Sequence, residues 1–335
     1  MSSLGRSATA RLLRHAFWWL RVALGARRAR QEGALRILTY HGVVADAAAA
    51  EPLVPPYYVT ERQLARQLRA LRRWARFASA EELRFDAREG LVWDPDGLSV
   101  LVTFDDGARN VVELAQPVLD SCGVHAVLFV TTGHIGTDRP FPADALRALR
   151  LLGAPGRSGA AASDPCLREL LERPAAWKEL PSARYRERLQ RAWEELPPEE
   201  RSRVLRLLGP AHWDELLAFA AAGHTLGAHT AHHAILSREP LETMQREIED
   251  SFAELRSRGV TGRIPFAYPN GSRGDYTDDC IAVLRALDAA WAATTVPGPN
   301  RSGSPRFELR RNPVAMGYPL SRLRAELLGL ADGWE

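Results

Sequence analysis

Three short apolar runs, 36–40, 98–104 and 126–130, constrain this chain more than any other feature. Each has the length and β-branched content of a buried strand. Each also ends on a polar residue: His41, Asp105 and Thr131. Segments of helical periodicity separate them. The clearest puts Leu64, Leu68, Leu71 and Trp74 on one face, with Thr60 placed to cap it. Strand–helix alternation predicts an α/β fold with parallel strands. In such folds polar residues at strand ends converge on one face.

The rhythm starts near Leu35, breaks over about 137–215 and then resumes. The break is rich in Arg, Glu, Leu and Pro and offers helices, such as Ala183 to Leu196 and Glu199 to Leu208, but no comparable strand. It reads as a helical insertion over one rim, with a role in cover or in substrate choice. Beyond it the pattern predicts helices over Trp213 to Ala222, Leu241 to Arg258 and Asp278 to Leu287. Strands are expected over Thr225 to Gly227, Ile264 to Tyr268, Ala290 to Thr295 and Phe307 to Arg310. There is no internal repeat.

Composition excludes several classes. A formal net charge of +3 across 335 residues gives no basis for nucleic-acid binding. Cys122, Cys166 and Cys280 are odd in number, widely spaced and free of any C-x-x-C, which favours reduced thiols and a cytoplasmic setting. No run has the length of a transmembrane helix. Residues 1–34 form a separate amphipathic segment in which 11–30 mixes Phe17, Trp18, Trp19 and Leu20 with six arginines. Two readings stand for it: a helix lying peripherally on a membrane surface, or a helix packed on the domain or a partner chain.

The chemistry is carried by two distant segments. Thr103-Phe104-Asp105-Asp106-Gly107 closes an apolar strand, and His229-Thr230-Ala231-His232-His233 follows more than a hundred residues later. Histidines four apart on a helical turn present both imidazoles to one ion. One carboxylate completes the site and leaves a corner for water; the other takes the water's proton. Either element alone is weak, since Asp-Asp-Gly also makes plain turns. The combination predicts hydrolysis by metal-activated water.

The two segments resemble the first two signature motifs of the polysaccharide deacetylases, the NodB-homology or family 4 carbohydrate esterases; the second fits H-[ST]-x-x-H. Phe266-Ala267-Tyr268-Pro269-Asn270-Gly271 is similar to the third motif, and Asp288 with Trp291 loosely to the fourth. The resemblance implies a distorted (β/α)7 barrel, spanning 35–335 with its insertion, that hydrolyses the N-acetyl group of an amino sugar. It implies Asp105 as base and Asp106, His229 and His233 as ligands of one divalent metal, usually zinc. Tyr268 and Asn270 would lie at the substrate and oxyanion, with a backbone N–H near Asn270 as donor. Leu38-Thr39-Tyr40-His41-Gly42-Val43 is similar to the Y-H segment of the branch holding the biofilm poly-N-acetylglucosamine deacetylases, which makes His41 the candidate acid.

The chain departs from the pattern where the third motif carries an Arg that pairs with the base. Ala267 stands there, leaving Arg263 and Arg311 to approach Asp105, with Arg311 preferred because a late Leu-x-Arg recurs in that branch. His232 is not expected to ligate, and His134 and His224 read as structural. The nine tryptophans suit a groove for an extended amino-sugar polymer. A cytoplasmic chain with an interfacial helix suits a lipid-linked sugar, as in exopolysaccharide assembly. The alternatives are a deformylase or amidase acting on a small non-sugar amide, and a non-catalytic glycan-binding relative.

Overall fold

A computed structural model describes residues 33–153 and 164–329; the amphipathic segment at 11–30 lies outside them. Seven parallel strands form the centre: β1 (Ala34–Tyr40), β2 (Leu98–Phe104), β3 (Ala126–Val130), β4 (Thr225–Ala228), β5 (Phe266–Ala267), β6 (Ala292–Ala293) and β7 (Arg311–Pro313). Their order is β6-β5-β4-β3-β2-β1-β7. β1 and β2 pair along their whole length, from Ala34 opposite Leu98 to Tyr40 opposite Phe104. The ring nearly closes where Leu309, two residues before β7, bridges Ala293 of β6 in parallel. This is the distorted (β/α)7 barrel that the resemblance implied.

The first three strands match their apolar runs and β4 its expected position, whereas β5 and β6 are shorter than expected. Pro265 and Pro269 bracket β5 and have no N–H to offer a ladder. The strand expected over Phe307 to Arg310 pairs with β1 only from Arg311 onward, opposite Ile37.

Strand alternation divides the core in two. Leu35, Ile37, Leu101, Val127, Phe129, Ala267, Ala293 and Leu309 point into the barrel. Their even-numbered neighbours, among them Leu38, Tyr40, Val102, Phe104, Leu128 and Phe266, pack against the helices. At Gly227 on β4 the barrel needs a missing side chain, because a Cβ there would lie 2.5 Å from the Phe129 ring. Helix α1 (Glu61–Leu71) starts where Thr60 accepts a hydrogen bond from the Gln63 N–H. It buries Leu64, Leu68 and Leu71, and its Gln67 accepts from the Tyr40 hydroxyl of β1. The helical segment after β2 opens as a π-helix over Val111–Ala115. Pro117, which cannot donate to a preceding carbonyl, follows directly.

The insertion builds a satellite core shared with Val44, Leu53, Val54 and Tyr58 of the segment after β1. Helices α2 (Pro142–Leu152), α3 (Pro165–Glu172), α4 (Arg186–Glu194) and α5 (Pro198–Leu208) enclose Leu146, Leu149, Leu170, Trp177, Trp193 and Leu208. Among the described residues no helix is long and apolar enough to cross a membrane.

Candidate active site

The inward parity of the strands continues past their C-terminal ends. His41 follows β1, Asp105 follows β2 and His229 follows β4, each in step with the residues that fill the barrel. Arg311 opens β7 in step with Leu309. Asp106 is out of step and would face the helices on a regular strand. A left-handed backbone, φ 76°, turns it back toward the mouth. Thr230, His233 and Asn270 are also left-handed, with φ 62°, 59° and 60°. Such conformations are unfavourable for side chains with a Cβ, most of all a β-branched one, and their concentration on one rim marks it as functional. The histidines therefore sit on a tight turn and not on the helical turn expected from their spacing.

Asp106, His229 and His233 converge. His229 Nε2 and His233 Nε2 stand 3.6 and 3.3 Å from Asp106 Oδ1. The three atoms lie within 4.8 Å of one another. Ligands held at about 2.0–2.2 Å by a tetrahedral ion are about 3.4 Å apart, so the spacing fits a metal. Asp106 Oδ1 is buried and makes no hydrogen bond of good geometry, which fits an atom that needs a cation. His229 Nδ1 lies 2.7 Å from the Ala267 carbonyl oxygen, which fixes the tautomer and aims Nε2 at the site. Burial pushes the His229 imidazole down to about 4, which leaves it neutral with a free lone pair at pH 7. Burial alone would raise the Asp106 carboxyl, but the three histidines His233, His41 and His229 together hold it well below the carboxylate range.

Asp105 is gripped by a fully buried Arg311. Nη1 donates to Oδ1 at 2.6 Å and Nη2 to Oδ2 at 2.9 Å, a bidentate fork. Nε of Arg311 donates to the Thr294 carbonyl at 2.8 Å, and the guanidinium lies 5.4 Å from the Phe129 ring centroid. Burial pushes the Asp105 carboxyl up; the charge of Arg311, aided by that of His229, outweighs it and keeps the acid ionised. Arg263, the other candidate, pairs with Asp288 on the surface.

The sequence profile described as polysaccharide deacetylase matches residues 94–291, more than half of the chain. The chain belongs to the polysaccharide deacetylase family. This deacetylase is therefore a hydrolase that removes N-acetyl groups from an amino-sugar polysaccharide, in a family that depends on a metal. Solved structures share its fold. IcaB from Ammonifex degensii is 21% identical over 89% of this chain and 98% of that one, with a TM-score of 0.57. The deacetylase PplD of Streptococcus pyogenes, in complex with acetate, is 16% identical over 89% and 99%, with a TM-score of 0.56. A de-N-acetylase from Aggregatibacter actinomycetemcomitans is 14% identical over 88% and 99%, with a TM-score of 0.55. No curated protein matches.

The deacetylase departs from the expected site in two places. Tyr268 falls on the outward parity: it is fully buried, its hydroxyl donates to the Phe307 carbonyl, and it stacks on Tyr276. Its N–H is committed to the Ala293 carbonyl at 3.2 Å. The expectation that it lines the substrate site is therefore corrected; it packs the helix layer. Asp288 and Trp291 precede β6, at the opposite end of the barrel, where Trp291 meets Phe129 edge-on and Asp288 pairs with Arg263 and Arg306. The loose fourth-motif match does not reach the site. Asn270 does lie at the rim. His232 Nδ1 lies 2.8 Å from Glu247, away from the metal triad, and His224 is held by Asp120 and the Ala126 N–H.

Four residues that the sequence did not single out approach the site. Tyr57 packs on His41 with ring centroids 5.1 Å apart and donates to Asp144 of the insertion at 3.1 Å. Burial, reinforced by the charge of Asp106, pushes the Asp144 carboxyl up to about 7 despite that donor. Trp177 lies 5.8 Å from the His233 ring, and Lys178 Nζ donates to Asn270 Oδ1 at 2.6 Å. A cavity of about 710 Å³ between rim and insertion is lined by His134, Arg139, Trp193 and His232 but by no member of the metal triad. The metal triad lies outside that cavity, at the C-terminal ends of the strands.

Proposed function

We propose that Asp106, His229 and His233 hold one zinc ion and that Asp105 is the base of a glycan N-deacetylation. The observation that carries this reading is the pair of adjacent carboxylates in opposite surroundings: Asp106 among imidazoles at ligand spacing, Asp105 locked to a buried guanidinium. A zinc ion bound there supplies Lewis acidity toward the acyl carbonyl and an acidified water. Asp105 accepts the water's proton, and Arg311 fixes its orientation and ionisation. Asn270, at the rim, offers its backbone N–H to the oxyanion. His41, beside Tyr57, gives a proton to the leaving amine. The experiment is acetate release from N-acetylglucosamine oligomers by the zinc-loaded chain. Chelation is expected to abolish turnover and added zinc to restore it; turnover indifferent to both overturns the assignment.

For the substrate, a lipid-linked amino-sugar glycan at the inner face of the membrane is the preferred reading, with residues 11–30 as peripheral contact. Its support is the Trp/Arg pattern of that segment and the free thiols of Cys122, Cys166 and Cys280. Sedimentation of the full chain with anionic vesicles tests it; a chain that stays in the supernatant at low salt contradicts it.

A further inference from the structure

Of the 44 basic residues in this chain, 43 are arginine; the single lysine is Lys178. Several arginines of the insertion are tied to carboxylates, as in Arg173–Glu169, Arg188–Asp164 and Arg203–Glu51. Lys178 is not: its ammonium donates to the neutral Asn270 amide oxygen and pairs with no carboxylate among the described residues. Its place is set from both sides. The 3-10 turn Ala176–Glu179 is anchored by the buried Trp177, whose ring lies against that of His233. The next residue is exposed and crosses to Asn270 on the opposite rim. Asn270 is itself fixed by a hydrogen bond from Nδ2 to Asp275 Oδ2.

An ammonium carries three rotatable N–H donors on a flexible stem, a compact point charge suited to single oxygen acceptors. Asn270 takes one of the three, which leaves two on an exposed ammonium at the rim, 6.0 Å from the Trp177 ring centroid. We infer that Lys178 is a specificity-determining residue through which the insertion grips the glycan, donating to oxygen acceptors of the sugar unit next to the one that carries the acetamido group. The inference rests on the functional reading above and adds to it the residue that reads the sugar beside the reacting one.

The uniqueness of the lysine makes the test clean, since amine-selective acetylation of the full chain can reach only Lys178 and the α-amino group. Pentamers of β-1,4- and β-1,6-linked N-acetylglucosamine serve as probes, with peptide mapping as readout. The expected result is that one of them slows labelling at Lys178 and not at the α-amine. Lys178→Gln is expected to raise KM for that pentamer about tenfold, equivalent to about 1.4 kcal/mol, with kcat falling less than threefold. Lys178→Arg recovers part of the KM. A merely structural lysine would shift the melting temperature or metal content and leave KM alone. A pentamer that is hydrolysed but gives no protection, with an unchanged KM in Lys178→Gln, overturns this inference and leaves the functional reading standing. Protection without hydrolysis supports the contact and overturns the catalytic reading. A panel neither hydrolysed nor protective overturns both.

Discussion

The barrel and the insertion meet at one mouth but contribute to it by different rules. In the barrel, a period of two places His41, Asp105 and His229 on strand ends and Arg311 on the last strand, so position along the chain dictates direction in space. In the insertion, Asp144, Trp177 and Lys178 arrive from helices and turns that pack on a second core, shared with the segment after β1. Their direction is decided by docking. The first group is set by local geometry and holds the proposed chemistry; the second surrounds it.

This contrast predicts a gradient of effects. The largest belong to the barrel. His229→Ala is expected to lose the metal and, with it, activity by a thousandfold or more, while Asp105→Asn keeps the metal and loses about a thousandfold in kcat. Metal analysis beside steady-state kinetics checks both. Next is Arg311→Met, which strands a buried carboxylate and is expected to destabilise by about 3–5 kcal/mol. Combining it with Asp105→Asn should recover much of that loss, and a double-mutant cycle by urea denaturation would show it. Additive losses would mean that the fork is incidental.

The insertion variants come lower. Trp177→Ala removes a buried ring and is expected to cost about 3 kcal/mol, with metal retained; loss of metal would place the insertion inside the chemistry and erase the contrast. Tyr57→Phe deletes one hydrogen bond to Asp144, an effect of about 1 kcal/mol, read as a shift of the alkaline or acid limb of the rate profile toward higher pH.

Acid should also act first on the barrel. The unfolded chain takes up protons on histidine below about pH 6.5 and on aspartate below about pH 4. The folded chain holds His229 unprotonated to about 4 and Asp105 ionised below its ordinary range. Across that window the unfolded state binds more protons at these two groups, so their contribution to the stability of the metal-free protein is full above about pH 6.5 and is lost as pH falls, while Asp144, which the fold keeps protonated up to about 7, works in the opposite direction. In an Asp144→Asn background, which removes that opposing titration, urea midpoints at pH 7 and pH 5 would show the drop; equal midpoints there would contradict the burial of His229.

How much of this was legible follows the same division. The strand runs ending at Tyr40, Phe104 and Val130 matched the structure because burial on both faces leaves an unbroken apolar signature. The later strands are two to four residues long, too short for a pattern, and β5 is bracketed by proline. Asp105, Asp106, His229 and His233 were legible as motifs, although the turn that brings the histidines together depends on left-handed Thr230 and His233, which no spacing rule gives. Tyr268 was misplaced because its motif suggested a substrate contact, whereas counting parity from Ala267 sends it outward. Lys178 could have been found by composition alone, as the one exception among the basic residues. Asp144 and Trp177 had no such mark, since nothing near them in the chain encodes the docking that delivers them.

The most direct test of the account is anomalous diffraction at the zinc edge from crystals of the zinc-loaded chain. The expected result is one peak at about 2.0–2.2 Å from Asp106 Oδ1, His229 Nε2 and His233 Nε2, with Asp105 outside the coordination sphere and still forked to Arg311. A peak elsewhere, or one ligated by Asp105, would contradict the division of labour between the two aspartates.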